Sequence, residues 1–220
     1  MKKYYQAYDE RYKIIHEKGY SWSSYKPTPI VLETIIKYQI NNDSKILEIG
    51  CGEGRDAFPL LEKGYQVLAT DISPEAIEFD KNKYPMYRES FQVLDCLSDD
   101  YIDKYDFIYA VALIHMLVVK EDRHKFYEFI RNHLEDDGIT LICSMGDGEH
   151  EFETNVNEAF EIVKRNHESG EVMVSATSCK MVSFKTFEEE IKSSGLTIIE
   201  EGITSSLPDF DSLMYVVVKK

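Results

Sequence analysis

Residues 46–57 read ILEIGCGEGRDA, an apolar run followed by three alternating glycines. An apolar run this short, bounded by glycine, is typical of a buried strand. The glycines predict a turn into a helix that begins near Arg55, and their missing side chains let a ligand lie against the backbone. The free N–H groups at such a helix start favour a carboxylate or a phosphate. The stretch therefore predicts a nucleotide-like ligand at the end of the first strand.

Short apolar strands alternate with helices downstream of this turn. Such alternation favours a parallel sheet with helices on both faces and right-handed crossovers. We therefore predict one doubly wound α/β domain over residues 1–220, with its ligand crevice at the carboxyl ends of the strands. The predicted strands cover residues 45–49, 66–71, 91–94, 106–111, 139–144, 196–203 and 213–218.

The first 28 residues precede this alternation. An amphipathic helix is predicted over residues 1–18, because apolar residues recur there at helical spacing, at Tyr5, Tyr8, Tyr12 and Ile15. The aromatic loop that follows contains Tyr20, Trp22 and Tyr25. These side chains either roof a substrate pocket or pack the first helix onto the domain, since aromatic residues contribute strongly to cores. Residues 1–28 are therefore a candidate lid with three candidate substrate-side residues.

Residues 145–183 interrupt the alternation of strands and helices. They begin with an acidic loop, which we expect to be followed by a helix and then by an alternating strand pattern. We predict that this segment is an insertion over the mouth of the crevice. After it, a capping box at Thr186 predicts the start of the last helix, which Gly195 ends.

Forty acidic residues outnumber 25 basic ones, which gives a formal charge of −15. This charge repels polyphosphates and weighs against nucleic acid as a partner. The excess of acidic residues either only keeps the protein soluble or indicates a neutral or cationic small-molecule substrate. No run of about 18 apolar residues and no signal-peptide pattern is present, so we expect a cytoplasmic protein without a membrane partner. The four cysteines lack ligand spacing, which predicts free thiols and no metal site.

Three acidic residues lie at or next to the ends of the first three predicted strands. Asp71 ends the second strand about twenty residues after the glycine turn, where an acid binds ribose hydroxyls. Glu48 precedes the turn and disfavours a pyrophosphate, whereas an ammonium group would pair with it. Asp95, after the third strand, can accept a hydrogen bond from an adenine amino group. The Gly-x-Gly-x-Gly spacing also differs from the Gly-x-Gly-x-x-Gly of dinucleotide sites.

Residues 30–220 resemble the class I S-adenosylmethionine-dependent methyltransferases. EIGCGEG at 48–54 resembles the first motif of that family, ATDIS at 69–73 the second, and VLDC at 93–96 the third. DFIYA at 106–110 resembles the fourth strand. The resemblance implies a Rossmann-like, seven-stranded, mostly parallel sheet with an antiparallel last strand, and S-adenosyl-L-methionine as cofactor. The Gly-Arg-Asp that ends the first motif is similar to small-molecule methyltransferases of the tellurite-resistance and thiopurine kind.

Methyl transfer from a sulfonium is a direct displacement, which needs alignment in a dry pocket and a base only if the acceptor atom carries a proton. His115, just past the fourth strand, is our candidate catalytic base or substrate-positioning group. The alternative is a histidine that packs or caps the next helix. The resemblance implies that the cofactor is bound by Glu48, Gly50, Gly52, Gly54, Asp71, Ile72, Asp95, Cys96 and Ala110.

The predicted activity is therefore methyl transfer from S-adenosylmethionine to a small molecule. An NAD-dependent oxidoreductase would share the glycine turn and Asp71, but the glycine spacing and Glu48 weigh against it. A non-catalytic regulatory module that binds S-adenosylmethionine is the other alternative. The acceptor atom, the substrate and the oligomeric state stay open.

Overall fold

The computed structural model describes residues 2–99, 103–204 and 212–220. The helices are α1 (Ala7–His16), α2 (Pro29–Lys37), α3 (Ala57–Glu62), α4 (Pro74–Lys83), α5 (Lys120–His133) and α6 (Phe184–Ser193). The strands are β1 (Lys45–Ile49), β2 (Gln66–Asp71), β3 (Phe91–Val93), β4 (Tyr105–Val111), β5 (Leu134–Met145), β6 (Phe152–Glu153), β7 (Ile162–His167), β8 (Gly170–Ser175), β9 (Lys180–Met181), β10 (Thr197–Thr204) and β11 (Leu213–Lys219). Short 3-10 turns lie at Tyr4–Gln6, Pro85–Ser90, Ile114–Met116 and Val156–Glu158.

Within the described residues, the main sheet has seven strands in the order β10-β11-β5-β4-β1-β2-β3. Strands β1 to β5 are mutually parallel, whereas β11 is antiparallel to both β5 and β10. This confirms the predicted seven-stranded, mostly parallel sheet with an antiparallel last strand. The chain moves outward from β1 to β3 and then returns to β4 on the other side of β1. Such a reversal opens a crevice at the carboxyl ends of the strands.

Neighbouring residues of the central strands pack on opposite faces of this sheet. Ile46 and Phe107 belong to one core, together with apolar side chains of α2, α3 and α4. Leu47 and Ile108 belong to the other core, together with side chains of α5 and α6. Successive strand residues point to opposite faces, and a parallel sheet is buried on both. The helices therefore cover both faces, as predicted.

The turn after β1 requires glycine for both conformation and space. Gly50 and Gly52 have φ values of +79° and +56°, in the left-handed region. A Cβ atom on Gly50 would lie 2.2 Å from Cδ1 of Leu113, and one on Gly52 would lie 2.7 Å from the Tyr12 hydroxyl. The helix that follows, α3, begins at Ala57 rather than near the predicted Arg55. The backbone of this turn is consequently packed close beneath the crevice.

The helix predicted within residues 145–183 is wrong. This segment instead forms the antiparallel pair β6–β9 and the hairpin β7–β8. The hairpin packs on α1, where Val172 and Val174 contact Ile15 in a small core. Strand β7 is mostly exposed and polar, so it lacks the apolar alternation that identifies a strand in sequence.

Two helix boundaries also differ from their predicted positions. Helix α6 begins at Phe184, because Ser183 is its N-cap and accepts a hydrogen bond from the backbone of Thr186. The capping box predicted at Thr186 is therefore wrong, and the true cap lies three residues earlier. The apolar spacing of residues 30–38 predicts a helix that ends near residues 41–42, whereas α2 ends at Lys37. Among the described helices, none is long and apolar enough to cross a membrane.

Candidate active site

Two adjoining cavities lie above the carboxyl ends of β1, β2 and β4. We call the first the strand-end cavity, which has a volume of about 90 Å³ and is lined by Ile49, Gly50, Asp71, Ile72, Leu94, Asp95, Cys96 and Leu113, among others. We call the second the arginine cavity, which has a volume of about 580 Å³ and is lined by Arg11, Arg55 and Arg165 together with Trp22, Glu53, His115 and residues 176–179, among others. The two cavities share lining residues at Tyr8, Tyr12, Gly50, Ala112 and Met116. A single elongated ligand can therefore reach from one into the other.

Asp71 connects the end of β2 to the glycine turn. Its Oδ2 accepts the N–H of Gly52 at 2.9 Å, and its Oδ1 accepts the N–H of Ser73 at 2.8 Å. Burial raises the pKa of Asp71, and these hydrogen bonds offset the rise only in part. The carboxylate lines the strand-end cavity and at the same time fixes the turn beneath it.

Asp95 lines the other end of the strand-end cavity and is contacted by the N-terminal segment. Its Oδ2 accepts hydrogen bonds from Nζ of Lys3 at 2.7 Å and from the hydroxyl of Tyr5 at 3.3 Å. Burial acts to raise the pKa of Asp95, but Lys3 and Ser98 outweigh it and hold that pKa below its ordinary value. Cys96 and Ile72 lie in the same wall. The acid predicted to meet adenine is thus already paired with an N-terminal lysine.

Three of the predicted cofactor residues lie outside the lining of both cavities. Glu48 is buried in the sheet, where register places it opposite Tyr109, and the Tyr109 hydroxyl donates to its Oε2 at 3.0 Å. Burial raises the pKa of Glu48 well above its ordinary value. Gly54 faces the side of α4, and Ala110 is buried within β4. The wall that follows β4 is formed instead by Ala112.

Glu53, within the glycine turn, holds the N-terminal helix and the aromatic loop. Its carboxylate is 2% exposed. It accepts hydrogen bonds from Nε2 of His16 at 2.9 Å, from the N–H of Trp22 at 2.7 Å, and from the N–H and the hydroxyl of Ser23, each at 2.7 Å. Burial acts to raise the pKa of Glu53, but these donors hold it below its ordinary value. The first 28 residues are therefore tied directly to the glycine turn.

His115 lies in the arginine cavity, in the 3-10 turn that follows β4. Its Nδ1 accepts the backbone N–H of Met145 at 3.3 Å, which leaves the proton of the neutral ring on Nε2. Burial, and to a lesser extent the nearby Arg123 cation, lower the pKa of His115 to about 3. The ring is consequently neutral near pH 7, and it is better suited to donate a hydrogen bond than to accept a proton.

Residues 47–140 match the family model described as a methyltransferase domain. Among solved structures, the CcbJ methyltransferase from Streptomyces caelestis superposes with a TM-score of 0.70 at 14% identity, over 97% of both chains. The chain has the class I methyltransferase fold. The glycopeptide N-methyltransferase MtfA, solved with S-adenosyl-L-methionine, superposes with a TM-score of 0.64 at 16% identity, over 90% of this chain and 96% of that one.

Curated relatives match shorter parts of the chain. A 2-heptyl-1-hydroxyquinolin-4(1H)-one methyltransferase of Mycobacteroides abscessus is 35% identical over 60 residues, which are 27% of this chain and 26% of that protein. The tRNA N(3)-cytidine methyltransferase METTL6 of Rattus norvegicus is 38% identical over 79 residues, 33% of this chain and 27% of that protein. The probable S-adenosyl-L-methionine-dependent methyltransferase TehB of Haemophilus influenzae is 24% identical over 130 residues, 58% of this chain and 45% of that protein. The chain therefore spans less than half the length of each of these relatives, and the TehB match is consistent with the predicted tellurite-resistance subgroup.

Of the three aromatic residues predicted on the substrate side of this methyltransferase fold, Trp22 lines the arginine cavity, whereas Tyr20 and Tyr25 line neither cavity. The Trp22 ring packs against the guanidinium of Arg11 at 4.5 Å. The Tyr25 ring packs on the ammonium of Lys83 at 4.0 Å, away from both cavities. The loop therefore both packs against the domain and contributes one ring to the cavity wall.

Sequence reasoning missed several lining residues of this fold. Tyr8 and Tyr12 were predicted as the buried face of a helix, yet both line the two cavities. Arg11 falls on the same apolar face as Tyr8, Tyr12 and Ile15, and a charged residue on a buried face is a signal that was available in the sequence. Ala112 has a φ of +57°, which its sequence context does not reveal.

Proposed function

We propose that this protein transfers the methyl group of S-adenosyl-L-methionine to a small molecule by direct displacement. The observation that carries this proposal is the pair of adjoining cavities at the strand ends, which share Gly50 and Ala112 in their common wall. The adenosyl portion would lie in the strand-end cavity, against Asp71, Ile72 and Cys96. The sulfonium methyl group would then face the arginine cavity, where the acceptor binds.

The residues around the arginine cavity supply alignment rather than proton transfer. The carboxylate of Glu53 is engaged by four donors. His115 has a pKa of about 3, and burial raises the pKa of Cys179 to about 11. A base matched to neutral pH is therefore absent among the described lining side chains. This favours an acceptor atom that presents a lone pair without help from the protein and that the cavity wall aligns with the methyl group.

We propose that residues 1–28 act as a lid and that residues 145–183 cover the mouth of the crevice. Both segments contribute to the wall of the arginine cavity, through Trp22 from the first and through Phe152, Thr154 and residues 176–179 from the second. A wall of this kind suits a small acceptor. The METTL6 relative is described as acting on tRNA, but the charge of −15 weighs against a polyphosphate substrate for this chain.

Calorimetry with S-adenosylhomocysteine and with NADH, followed by transfer assays with methyl-labelled S-adenosylmethionine, tests the proposal. We expect S-adenosylhomocysteine to bind, NADH not to bind, and label to appear in a small-molecule product. Binding of NADH alone would indicate an oxidoreductase. Binding of S-adenosylhomocysteine without transfer to any acceptor in a broad extract would indicate a regulatory module instead.

A further inference from the structure

We propose that the methyl acceptor is an anionic small molecule, and that Arg11 and Arg165 bind its carboxylate or equivalent oxyanion group in the arginine cavity. This inference rests on the proposed methyl transfer and adds the substrate class to it. It replaces the expectation of a neutral or cationic substrate, which came from the charge of the whole chain. The charges inside the cavity have the opposite sign.

Arg11 is a buried cation that has no carboxylate partner in the part of the chain that the structure describes. Its side chain is 4% exposed. Nε and Nη2 donate to the backbone oxygen of Ser175, at 3.1 Å and 2.7 Å, and Nη2 also donates to Ala176 and to the hydroxyl of Thr177. Burial lowers the pKa of Arg11, and the interaction of its guanidinium with the Tyr8 hydroxyl offsets that effect only in part. Buried arginines are normally paired with an acid, so a buried guanidinium that has only neutral partners among the described residues indicates an anionic ligand.

The guanidinium of Arg11 is also held in a fixed orientation. The ring of Tyr8 lies 4.8 Å from its central carbon, and the ring of Trp22 lies 4.5 Å from it. A planar guanidinium packed against rings is preorganised, so an oxyanion can bind beside it without the side chain first losing rotamer freedom. Tyr8 and Tyr12 lie on either side of Arg11 on α1 and line both cavities. An oxyanion bound at Arg11 would therefore lie near the place where the two cavities join, which the methyl group of the cofactor would face.

Arg165 of β7 adds a second cation to the same cavity. No carboxylate pairs with it among the described residues, and its charge contributes to lowering the pKa of Arg11, after the larger effect of burial. Two guanidinium groups that repel each other in this way are both stabilised when an anion lies between them. A cationic acceptor would instead meet a third positive charge.

The remaining charged groups of the cavity are already neutralised. Arg55 pairs with Asp56 at 2.9 Å, and Asp56 also accepts hydrogen bonds from the backbone and hydroxyl of Thr28. Glu53 is paired with His16, and burial lowers the pKa of His16 less than Glu53 and Glu75 raise it. Among the described residues, the charges that face the cavity without an opposite charge beside them are therefore those of Arg11 and Arg165. The cavity is thus positive although the formal charge of the protein is −15.

The test begins with a small-molecule extract of the cells that encode the protein. Anion exchange at neutral pH separates it into a retained, anionic fraction and an unretained fraction. Each fraction is incubated with the protein and methyl-labelled S-adenosylmethionine, and we expect label to transfer only to molecules of the retained fraction. Transfer confined to the unretained fraction would overturn the anionic substrate while leaving methyl transfer intact. Failure of S-adenosylhomocysteine to bind would instead overturn the proposed function.

Substitution of Arg165 then tests the site itself, because this residue is exposed and its loss should not disturb folding. With the acceptor from the retained fraction, we expect Arg165→Gln to raise KM about tenfold or more, Arg165→Lys to recover part of the loss, and S-adenosylhomocysteine affinity to stay unchanged. Lys164→Gln is the matched control, because Lys164 precedes Arg165 on the same strand but pairs with Glu171 outside the cavity. An unchanged KM in Arg165→Gln would overturn the assignment. Arg11→Gln should raise KM further, with its melting temperature measured alongside because Arg11 also anchors Ser175.

Discussion

The strand-end cavity and the arginine cavity share a wall, yet they are built in different ways. The first is lined mainly by residues that directly follow strands of the sheet, with tyrosines of the N-terminal segment beside them, and its charged side chains, Asp71 and Asp95, are acceptors. The second is formed where α1, the aromatic loop and residues 145–183 meet over the sheet, and two of its side chains, Arg11 and Arg165, are cations that pair with no carboxylate among the described residues. The sheet therefore supplies the charged residues of the first cavity, and the segments that cover the sheet supply two cations of the second.

This difference has a consequence for specificity. Changes in α1 or in the β7–β8 hairpin can alter which acceptor binds without moving the residues that follow β1, β2 and β3. Many functions share one fold in this manner, because the site is carried by segments added to a common sheet. Glu53 is the exception, since it belongs to the glycine turn but holds Trp22 and Ser23 of the covering loop. Its substitution should therefore disturb both cavities.

The largest effect is expected from Glu53→Gln, which removes the charge that four donors share. The single amide oxygen could accept from His16 and Trp22 or from Ser23 but not from both, and the NH2 group would face the other donors. We expect the free energy of unfolding to fall by about 3 kcal/mol. Trp22 is the only tryptophan of the chain, so its emission should shift to longer wavelength as the loop loosens. Urea unfolding and fluorescence measure the two effects. Glu62→Gln on the exposed side of α3 is the control. Equal unfolding free energies and equal Trp22 emission in the two variants would show that Glu53 does not hold the aromatic loop to the glycine turn.

Asp71→Asn should produce the next largest effect and should act on one cavity only. Asparagine cannot accept from both Gly52 and Ser73 as the carboxylate does, and it would also lose its charge toward a ribose. We expect affinity for S-adenosylhomocysteine to fall about 10- to 100-fold, as for the loss of hydrogen bonds to a charged group. Calorimetry measures this, with the exposed Asp43→Asn as control. Unchanged affinity would mean that the strand-end cavity is not the adenosyl site.

The strand-end half of the site was predictable because its residues depend on local sequence. A glycine turn after one strand and acids after the next two strands lie together once those strands are parallel neighbours. The N–H of Gly52, for example, donates to Oδ2 of Asp71 at 2.9 Å. Glu48 shows the limit of this reasoning. Its position on β1 was predicted correctly, but the sequence does not show that register turns its side chain toward Tyr109 rather than toward the crevice.

The arginine cavity was not predictable because its residues meet only through tertiary packing. Arg11 contacts Ser175 across 164 positions of sequence, after α1 docks on a hairpin whose first strand has no recognisable pattern. The substrate charge was expected from the formal charge of −15, which averages over the whole surface. A cavity depends on the few charges that face it, and burial makes those charges act more strongly than exposed ones. For the same reason, the position of His115 could be predicted but its low pKa could not.

A smaller effect is expected from His115→Gln, which tests whether the arginine cavity contains a base. Because the pKa of His115 is about 3, its neutral ring should not titrate between about pH 5.5 and 8. We expect turnover to fall about two- to tenfold, as for loss of one positioning hydrogen bond, with an unchanged pH profile. Rates of label transfer across this range provide the measurement. A wild-type inflection near pH 6.5 that disappears in the variant would assign His115 as a base after all.

The smallest effect is expected at His16, which bridges the glycine turn to the start of α4 through Glu53 and Glu75, each at 2.9 Å. Burial acts to lower the pKa of His16, but the two acids raise it above its ordinary value of 6.5. A group whose pKa is raised by folding stabilises the protein fully below its unfolded pKa and loses that contribution as pH rises through the folded value. Wild-type stability in urea should therefore decline from about pH 6 upward relative to His16→Gln, and the two should converge at high pH. Identical pH slopes would show that Glu53 holds residues 1–28 through its hydrogen bonds to Trp22 and Ser23 rather than through the charge of His16.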